Sequence, residues 1–542
     1  MRGVVLAALV LLVVHPVACA QADAASAASA ASADHGTVPD PRGVQGTVFL
    51  AGGGKLDPSL LREFVQVAGG AQARLVVVPT ASATADDPAE RAALEQLWRE
   101  RCGTTATVSV LHTRDRPVAD SETFCKPLEA ATAVWFGGGS QQRIADAYLG
   151  TRFERAVHGV LARGGIVGGT SAGAAIGSRA MIAGGREPPE MATGFDLVPH
   201  SVVDQHFQQR NRLPRLRLAL GLAPGRFGIG IDEGTAVIAS GRRLRVAGSG
   251  KALLVLPRSD HHEERTLVLA AGDGVDLPTW QRAARNRTLG AWPLPDPQPR
   301  VVRNGALVVV GGGALPEPVL ARFVALAGGK GARIVHVGSA EADPSDREPA
   351  LVARMRALGA VEVACLHHRH PSEWTAADSA LLARATGVWF GGGRQWRLCD
   401  AYDGSPAVAA FHGVLERGGV VGGSSAGATI QGDHLVRGNP LGNTDMWCEG
   451  YDRGFGFLRG VAIDQHFLVR RRMGDLTALV ERFPQVMGIG IDEGTAAVVT
   501  GDQLEVLGDS KVVLLARRPG QPLEPVLLEP GQRVTLPAPT PR

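Results

Sequence analysis

Two serines occupy glycine-flanked positions that are typical of hydrolase nucleophiles. Ser171 lies in the string Gly-Thr-Ser-Ala-Gly and Ser425 in Gly-Ser-Ser-Ala-Gly, and each string follows an apolar run and precedes an alanine-rich segment. Glycines at these positions permit a sharp strand-to-helix turn that lifts a serine hydroxyl above the edge of a sheet. The pattern predicts nucleophilic attack on a carbonyl carbon, whereas a plain glycine turn is the alternative interpretation.

A histidine follows each serine within an identical Asp-Gln-His-Phe string, at His206 and His466. A serine hydroxyl is a weak nucleophile until a base takes its proton, and histidine titrates near neutral pH. A lone histidine is more often structural. Because the same histidine recurs after both serines, we interpret the two as general bases.

The third member of such a site is a carboxylate that orients the imidazole and stabilises its cation. Glu233 and Glu493 are the favoured candidates, because each follows its histidine by the same interval of 27 residues in an Ile-Asp-Glu-Gly-Thr string. The segment between serine and histidine contains rivals that do not correspond between the two copies: Glu187, Asp433 and Asp445.

Backbone N–H groups must surround the oxyanion of a tetrahedral intermediate. The residue after each serine supplies one donor, at Ala172 and Ala426. Triple-glycine loops upstream can bring a second donor close, and we place it at Gly138 and Gly392. The alternative is that these glycines only turn the chain.

Further aspartates adjoin the predicted triads. Asp232 and Asp492 precede the two glutamates and are predicted to cap a turn. Asp204 and Asp464 lie two residues before the histidines and are predicted to orient loops around the site.

The elements that must position these residues occur twice in the chain. "VWFGGGSQQR" (134–143) returns as "VWFGGGRQWR" (388–397), and "GIGIDEGTA" (228–236) returns unaltered at 488–496. The serines are 254 residues apart and the histidines 260. This period is far too long for a solenoid, so the chain is predicted to contain two complete domains.

The fold class follows from the apolar pattern inside each copy. Short runs such as 75–78 and 334–337 are apolar throughout and alternate with longer amphipathic stretches such as 89–101. Fully apolar strands are what a parallel sheet covered on both faces requires. We predict a doubly wound, mostly parallel α/β sheet in each copy.

Composition divides the chain into five segments. They are a signal peptide at 1–20, an Ala/Ser-rich tether at 21–43, a first domain at 44–290, a Pro-rich linker at 291–303 and a second domain at 304–542. The signal peptide predicts a periplasmic or secreted protein, and a lipid-modified Cys19 is the less favoured alternative.

Several function classes are excluded. The net charge of +3 and the scattered basic residues argue against a nucleic-acid partner. No later segment approaches about 20 uninterrupted apolar residues, so no membrane span is expected. Cys102 with Cys125 is the one candidate disulfide, and no CxxC spacing supports a metal. The histidine-rich stretches 261–264 and 367–370 are interpreted as surface loops, and neither a metal nor a cofactor is predicted.

At these motifs the sequence resembles the peptidase family that contains cyanophycinase and the α-aspartyl dipeptidase. The Ser-Ala-Gly-Ala elbow and the Asp-Gln-His-Phe and Gly-Ile-Asp-Glu-Gly-Thr strings carry the resemblance over nearly all of each copy. It implies a fold similar to class I glutamine amidotransferase domains. It also implies a serine-type exopeptidase with a Ser–His–Glu triad and an acyl-enzyme. Cyanophycinase itself releases β-Asp-Arg dipeptides from a poly-aspartate backbone bearing arginines.

The resemblance further implies a set of polar substrate-binding residues. In the first copy they are Gln141, Asp204, Gln205, Arg210, Arg212 and Arg215, and in the second Gln395, Asp464, Gln465, Arg470 and Arg472. Forked guanidinium groups suit the carboxylates of a substrate. The second copy has Asp475 in place of the third arginine, and Trp396 and Trp447 are predicted near its site. These departures predict a different specificity there.

The leading hypothesis is an exported peptidase that acts on cyanophycin or related aspartyl and β-aspartyl peptides, with possible pairing of the two domains. An α/β-hydrolase esterase shares the elbow, but its acid usually precedes its histidine. A glutamine amidotransferase would need cysteine at the elbow. The third alternative is a secreted binding scaffold with one or both sites inactive.

Overall fold

The computed structural model describes residues 37–102, 106–343, 347–518 and 520–539. The predicted signal peptide with Cys19 and most of the predicted tether therefore lie outside the described residues. Each half of the chain forms one large mixed sheet and one smaller sheet of four or five strands, and the first half adds a two-stranded sheet; helices pack against the large sheets.

The first half begins its regular structure at Val44. Its strands are β1 (Val44–Ala51), β2 (Arg74–Val78), β3 (Thr107–Val110), β4 (Ala133–Phe136), β5 (Ile166–Thr170), β6 (Ala180–Gly185), β7 (Pro189–Thr193), β8 (Ser201–Gln205), β9 (Phe227–Ile231), β10 (Thr235–Gly241), β11 (Arg243–Gly248), β12 (Ala252–Leu256), β13 (Arg265–Leu269) and β14 (Gly274–Asp276). Its helices are α1 (Pro58–Val67), α2 (Pro88–Cys102), α3 (Arg116–Ala119), α4 (Glu122–Glu129), α5 (Gln141–Tyr148), α6 (Arg152–Ala162), α7 (Ala172–Ala175), α8 (Leu213–Leu222) and α9 (Leu277–Asn286).

The second half repeats most of this order. Its strands are β15 (Val302–Val310), β16 (Arg333–Val337), β17 (Glu362–Leu366), β18 (Gly387–Phe390), β19 (Val420–Ser424), β20 (Gly432–His434), β21 (Leu458–Gln465), β22 (Met487–Ile491), β23 (Thr495–Gly501), β24 (Gln503–Gly508), β25 (Val512–Leu515), β26 (Val526–Leu528) and β27 (Arg533–Thr535). Its helices are α10 (Glu317–Leu326), α11 (Arg347–Ala357), α12 (Ala376–Arg384), α13 (Gln395–Tyr402), α14 (Ala407–Glu416), α15 (Ala426–Thr429) and α16 (Met473–Arg482).

The two large sheets have matching topology. In the first half the strand order is β14-β11-β10-β1-β5-β4-β2-β3, and in the second β17-β16-β18-β19-β15-β23-β24-β27. Strands β1 to β5 are mutually parallel, and β10, β11 and β14 extend that sheet in antiparallel fashion. The predicted mostly parallel α/β class is confirmed. Sites in such sheets form at the carboxyl ends of the parallel strands.

The hydrophobic core covers both faces of each large sheet. Val48 and Phe49 are neighbours in β1 but belong to different buried clusters, because successive strand residues point to opposite faces. Cys125 packs in the cluster of Val48 and Cys102 in that of Phe49, so the sheet separates the two thiols. The candidate Cys102–Cys125 bridge is therefore wrong, and the five cysteines among the described residues are free.

The halves meet in a buried network to which the first half contributes arginines and the second half acids. Arg282 on α9 donates to the Gly450 carbonyl at 3.0 Å and to the Asp403 carboxylate. Arg287 Nε lies 2.6 Å from Glu449 Oε1. Buried charges are costly unless they are paired, so each of the two surfaces needs the charges that the other supplies.

Within the described ranges, no helix is long and apolar enough to cross a membrane. In the same residues, no group of three or more His, Cys, Asp or Glu side chains could hold a metal ion. Two histidines of the 367–370 stretch pair with separate carboxylates: His368 lies 3.4 Å from Asp378, and His370 lies 3.5 Å from Asp40.

Candidate active site

Ser171 lies at the turn between β5 and α7 with a φ of 54°, and Ser425 repeats this backbone with a φ of 56°. A Cβ on Gly169 would lie 2.5 Å from the Gly173 carbonyl oxygen, and one on Gly173 would lie 2.3 Å from the Phe136 carbonyl oxygen. Both flanking positions therefore require glycine. This local packing explains why the GxSxG string forms a sharp elbow here.

The first half assembles a continuous Ser–His–Glu hydrogen-bond chain. His206 Nε2 lies 2.9 Å from Ser171 Oγ, and His206 Nδ1 lies 2.5 Å from Glu233 Oε1. An ionised carboxylate only accepts hydrogen bonds, so Nδ1 carries the proton and Nε2 presents its lone pair to the hydroxyl. This is the tautomer that a general base needs.

The second half repeats the same chain. His466 Nε2 lies 2.9 Å from Ser425 Oγ, and His466 Nδ1 lies 2.5 Å from Glu493 Oε1. Burial lowers the pKa of His466 below its ordinary value near 6.5; Glu493 opposes this shift, and the positive charge of Arg470 adds to it. The imidazole is therefore neutral, and able to accept a proton, at neutral pH.

Two glycines after β1 make room for the imidazole and the carboxylate. A Cβ on Gly53 would lie 2.3 Å from His206 Cε1, and one on Gly54 would lie 2.8 Å from the Glu233 side chain. Both glycines have positive φ, of 100° and 67°. They belong to a glycine triplet at 52–54 that returns at 311–313. Its recurrence after the first strand of both copies was the signal that could have identified its role.

The predicted oxyanion donors adjoin the serines. A Cβ on Gly138 would lie 3.6 Å from Ser171 Cβ, and Gly392 stands in the same relation to the second serine. In the part of the chain that the structure describes, the N–H groups of Gly138 and Ala172 donate to no acceptor, and the same holds for Gly392 and Ala426. Unsatisfied N–H groups beside the hydroxyl suit a developing oxyanion.

The rival acids lie apart from the imidazoles. Glu187 is exposed in the turn between β6 and β7. Asp433 accepts the Gly460 N–H at 2.8 Å, and Asp445 accepts the Asn439 side-chain amide at 2.6 Å. Among the described residues, the carboxylates that pair with the two imidazoles are the predicted glutamates.

The aspartates next to the glutamates fix the backbone after each histidine. Asp232 accepts the N–H groups of Gln208 and Lys251, both at 3.1 Å. Asp492 accepts the N–H groups of Leu468 and Val469, both at 3.0 Å.

In the first half, two of the three predicted arginines are held by Asp204. Arg215 forms a fork on this fully buried carboxylate, with Nε 3.0 Å from Oδ2. Arg212 Nη1 lies 3.2 Å from Asp204 Oδ1 and 2.6 Å from Gln205 Oε1. A guanidinium only donates hydrogen bonds, so the Gln205 side-chain oxygen faces Arg212. The NH2 group of Gln205 is left for another acceptor. The expectation that all three arginines face a substrate is corrected, and Arg210 is the exposed one.

The second half fixes its buried aspartate from a different part of the chain. Arg437, in the loop after β20, places Nε 2.9 Å from Asp464 Oδ1 and Nη2 2.9 Å from Oδ2. Its Nη2 also lies 2.8 Å from Asp475, the residue at the position of Arg215. Arg472 Nη1 completes the cluster, 3.0 Å from Asp464 Oδ1. Sequence reasoning missed Arg437. The available signal was Asp475 at the position of Arg215, because this exchange removes the guanidinium that pairs with the corresponding aspartate in the first half.

The predicted glutamines divide into two roles. Gln465 Oε1 accepts a hydrogen bond from Arg472 at 2.9 Å, as Gln205 Oε1 does from Arg212 in the first half. Arg470 is exposed. Gln141 and Gln395 are buried and donate to backbone carbonyls of the segment after each elbow. They therefore support that segment from within.

Trp396 and Trp447, which are predicted near the second site, are not among the residues that line its cleft. Trp396 lies under the guanidinium of Arg242, 4.6 Å from ring centroid to Cζ, where the two halves meet. Trp447 packs against Phe483, with ring centroids 5.0 Å apart. The tryptophan of the cleft is Trp389, at the end of β18.

Both halves of the chain are similar to a known peptidase family. The model of peptidase family S51 matches residues 48–247 and 307–507. The cyanophycinase of Synechococcus elongatus is 36% identical over 230 residues, which cover 40% of this chain and 70% of the relative. The cyanophycinase of Trichormus variabilis is also 36% identical over 230 residues, covering 40% of this chain and 76% of the relative. A crystal structure of a peptidase from an acI-B1 actinobacterium is 23% identical with a TM-score of 0.34, covering 44% of this chain and 99% of that one.

Proposed function

Because the chain belongs to peptidase family S51, a family of serine-type peptidases, we propose that both halves hydrolyse aspartyl or β-aspartyl peptide bonds, including those of cyanophycin, through Ser–His–Glu triads. The observation that carries the proposal is the unbroken hydrogen-bond chain from hydroxyl to carboxylate, which recurs with the same distances in both halves.

In this mechanism Ser171 Oγ attacks the scissile carbonyl carbon while its proton passes to His206 Nε2. Glu233 stabilises the resulting imidazolium through Nδ1–H. The carbonyl oxygen becomes an oxyanion that the N–H groups of Gly138 and Ala172 stabilise. When the intermediate collapses, the C–N bond breaks and the leaving amine takes the proton from Nε2.

The acyl-enzyme is then hydrolysed by the same groups. Water attacks the ester carbonyl, its proton passes to His206 Nε2, and the imidazolium returns that proton to Ser171 Oγ as the acid product leaves. The second half has the equivalent atoms in place for the same sequence of steps.

The proposed substrate class is supported by the groups left open beside the triads. The NH2 group of Gln205 and the exposed guanidinium of Arg210 are suited to the carbonyl and carboxylate oxygens of an aspartyl substrate. Gln465 and Arg470 offer the same pair in the second half. The relatives named above are cyanophycinases.

The test is release of dipeptide from insoluble cyanophycin by the wild-type chain, Ser171→Ala, Ser425→Ala and the double variant. Each single variant should lose one half's contribution, and the double variant should fall to background. Ser240→Ala, at an exposed serine of β10, is the matched control. A double variant with full activity would refute the nucleophile assignment. Cleavage of simple esters without release from cyanophycin would favour an esterase.

We also propose that the chain is exported by residues 1–20. Their single positive charge, apolar run and small residues at 18–20 are typical of a cleaved signal peptide. Cell fractionation with mass spectrometry should find a mature chain beginning at Gln21 outside the cytoplasm. Uncleaved chain in the cytoplasm would contradict the proposal.

A further inference from the structure

A cleft of about 670 Å³ opens beside Ser171, between α1 and α2. Gly137 and Thr170 line it, and they directly precede Gly138 and the nucleophile in the chain. Its lining residues do not include Gln205 or Arg210. The cleft is therefore a second recognition region next to the reacting atoms, of the size that ligand sites usually have.

The charged lining of this cleft is entirely basic. Lys55, Arg62 and Arg101 are exposed at its rim, above a floor that includes Trp98 and Trp135. In the described part of the chain, no carboxylate lies within ion-pair distance of the three cations. Of the carboxylates near α1, Asp57 accepts the Ser59 N–H at 2.7 Å and caps the helix, with the charge of Arg62 nearby, and Glu63 pairs with Arg245.

The second half provides an internal comparison. Its cleft has a volume of about 950 Å³ and includes Ser425 and His466 in its lining. Counting from the glycine triplet, Ala314 and Ala321 occupy the positions of Lys55 and Arg62. The second cleft also contains Glu341, its Arg354 is paired with Glu317 at 2.7 Å, and its Arg397 donates to the Ala340 carbonyl at 3.2 Å. The two clefts share corresponding lining residues, such as Gly54 with Gly313 and Trp135 with Trp389, but differ in charge.

We propose that the cleft of the first half binds a carboxylate-rich segment of the substrate and that the cleft of the second half does not. The inference rests on the proposed function, because it names the substrate class of one of its two sites. Unpaired cations that converge on a cleft attract acidic groups and repel guanidinium groups. In this cleft the first half thus binds segments with free Asp or Glu side chains more tightly than the second half does.

Titration calorimetry on the inactive chain Ser171→Ala/Ser425→Ala tests this binding without hydrolysis, with hexa-aspartate as the probe at low salt. One site is expected. Adding Lys55→Ala/Arg62→Ala, which copies the residues of the second half, should weaken binding about tenfold, equivalent to about 1.4 kcal/mol. The control Arg303→Ala/Lys330→Ala removes the same charge from exposed positions elsewhere and should change the affinity less than about twofold. Ala314→Lys/Ala321→Arg should create a second site.

Equal affinities for the cleft variant and the control would overturn the inference, as would tighter binding of hexa-arginine to the starting chain. Hydrolysis assays of the wild type on aspartyl peptides separate the two claims. Hydrolysis without the binding contrast would refute the cleft inference and leave the proposed function standing. The binding contrast without any hydrolysis would refute the proposed function and leave the cleft inference standing.

Discussion

The two halves hold the buried aspartate beside the triad with the same fork but from different parts of the chain. In the first half Arg215 reaches Asp204 from helix α8, and in the second half Arg437 reaches Asp464 from the loop after β20. The position on α16 that corresponds to Arg215 is Asp475, which pairs with Arg437 instead. The geometry of the guanidinium on the carboxylate is kept, whereas the element that supplies it is not.

This comparison separates what the proposed chemistry requires from what recognition can vary. The triad distances are the same in both halves, because proton transfer demands hydrogen-bond contact. The clefts beside them differ in charge at Lys55 and Arg62, where the second half has alanines. A duplicated hydrolytic unit can therefore preserve its reacting groups while the surrounding surface changes its substrate.

The largest expected effect tests whether the two triads are equivalent. Glu233→Gln in a Ser425→Ala chain and Glu493→Gln in a Ser171→Ala chain should each reduce kcat about 10³- to 10⁴-fold, because an amide no longer holds the imidazole in the required tautomer. Glu187→Gln and Asp445→Asn are the controls and should change kcat less than about twofold. A loss in one half alone would mean that the halves do not share a mechanism.

At the contact between the halves, the first half supplies arginines and the second half supplies acids. Arg282→Met tests how much this contact contributes to the free energy of unfolding. Removing this guanidinium leaves Asp403 and the nearly buried Asp400 with fewer cations, so the free energy of unfolding should fall by about 3 kcal/mol. Arg258→Met breaks an exposed pair with Glu263 and should cost less than about 1 kcal/mol. Urea unfolding measures both. Equal losses would mean that the buried network contributes little to joining the halves.

Because Arg437 pairs with Asp464 as Arg215 pairs with Asp204, an arginine placed at the position of Arg215 should compensate for the loss of Arg437. In a Ser171→Ala chain, Arg437→Ala should lower kcat/KM about ten- to a hundredfold, because Asp464 loses its bidentate partner, and Arg472, which shares that carboxylate and donates to Gln465, loses its fixed position. Adding Asp475→Arg restores the arrangement of the first half and should recover most of that loss. Recovery of thermal stability without recovery of kcat/KM would contradict the claim that the two forks are interchangeable.

The sequence predicted those parts that depend on local strings and spacing. Ser171, His206 and Glu233 were identified because the same strings recur in the same order, and the sheet class followed from short, fully apolar runs. Such patterns survive because a sharp elbow needs its glycines and a strand covered on both faces needs apolar residues.

Other features depend on which segments the fold brings together. Arg437 lies 27 residues before Asp464 in a stretch that does not match the first half, so no repeated string marked it. Arg212 was expected to face the substrate, but it faces inward because the buried charge of Asp204 requires a partner. Cys102 and Cys125 lie on opposite faces of the large sheet, and their spacing along the chain does not reveal which face each thiol occupies.

The smallest predicted effect concerns the pH dependence of the second half. Burial and Arg470 lower the pKa of His466 below about 6.5, and the neutral imidazole is the active form. The acid limb of kcat/KM for a Ser171→Ala chain should therefore lie below pH 6.5, with activity kept as the pH falls towards that limb and lost below it. Arg470→Gln removes a positive charge and should move the limb to higher pH by less than about one unit, since one unit corresponds to 1.36 kcal/mol. An exposed control, Arg459→Gln, should leave the limb where it is. A limb that moves to lower pH in Arg470→Gln would contradict the electrostatic account of this site.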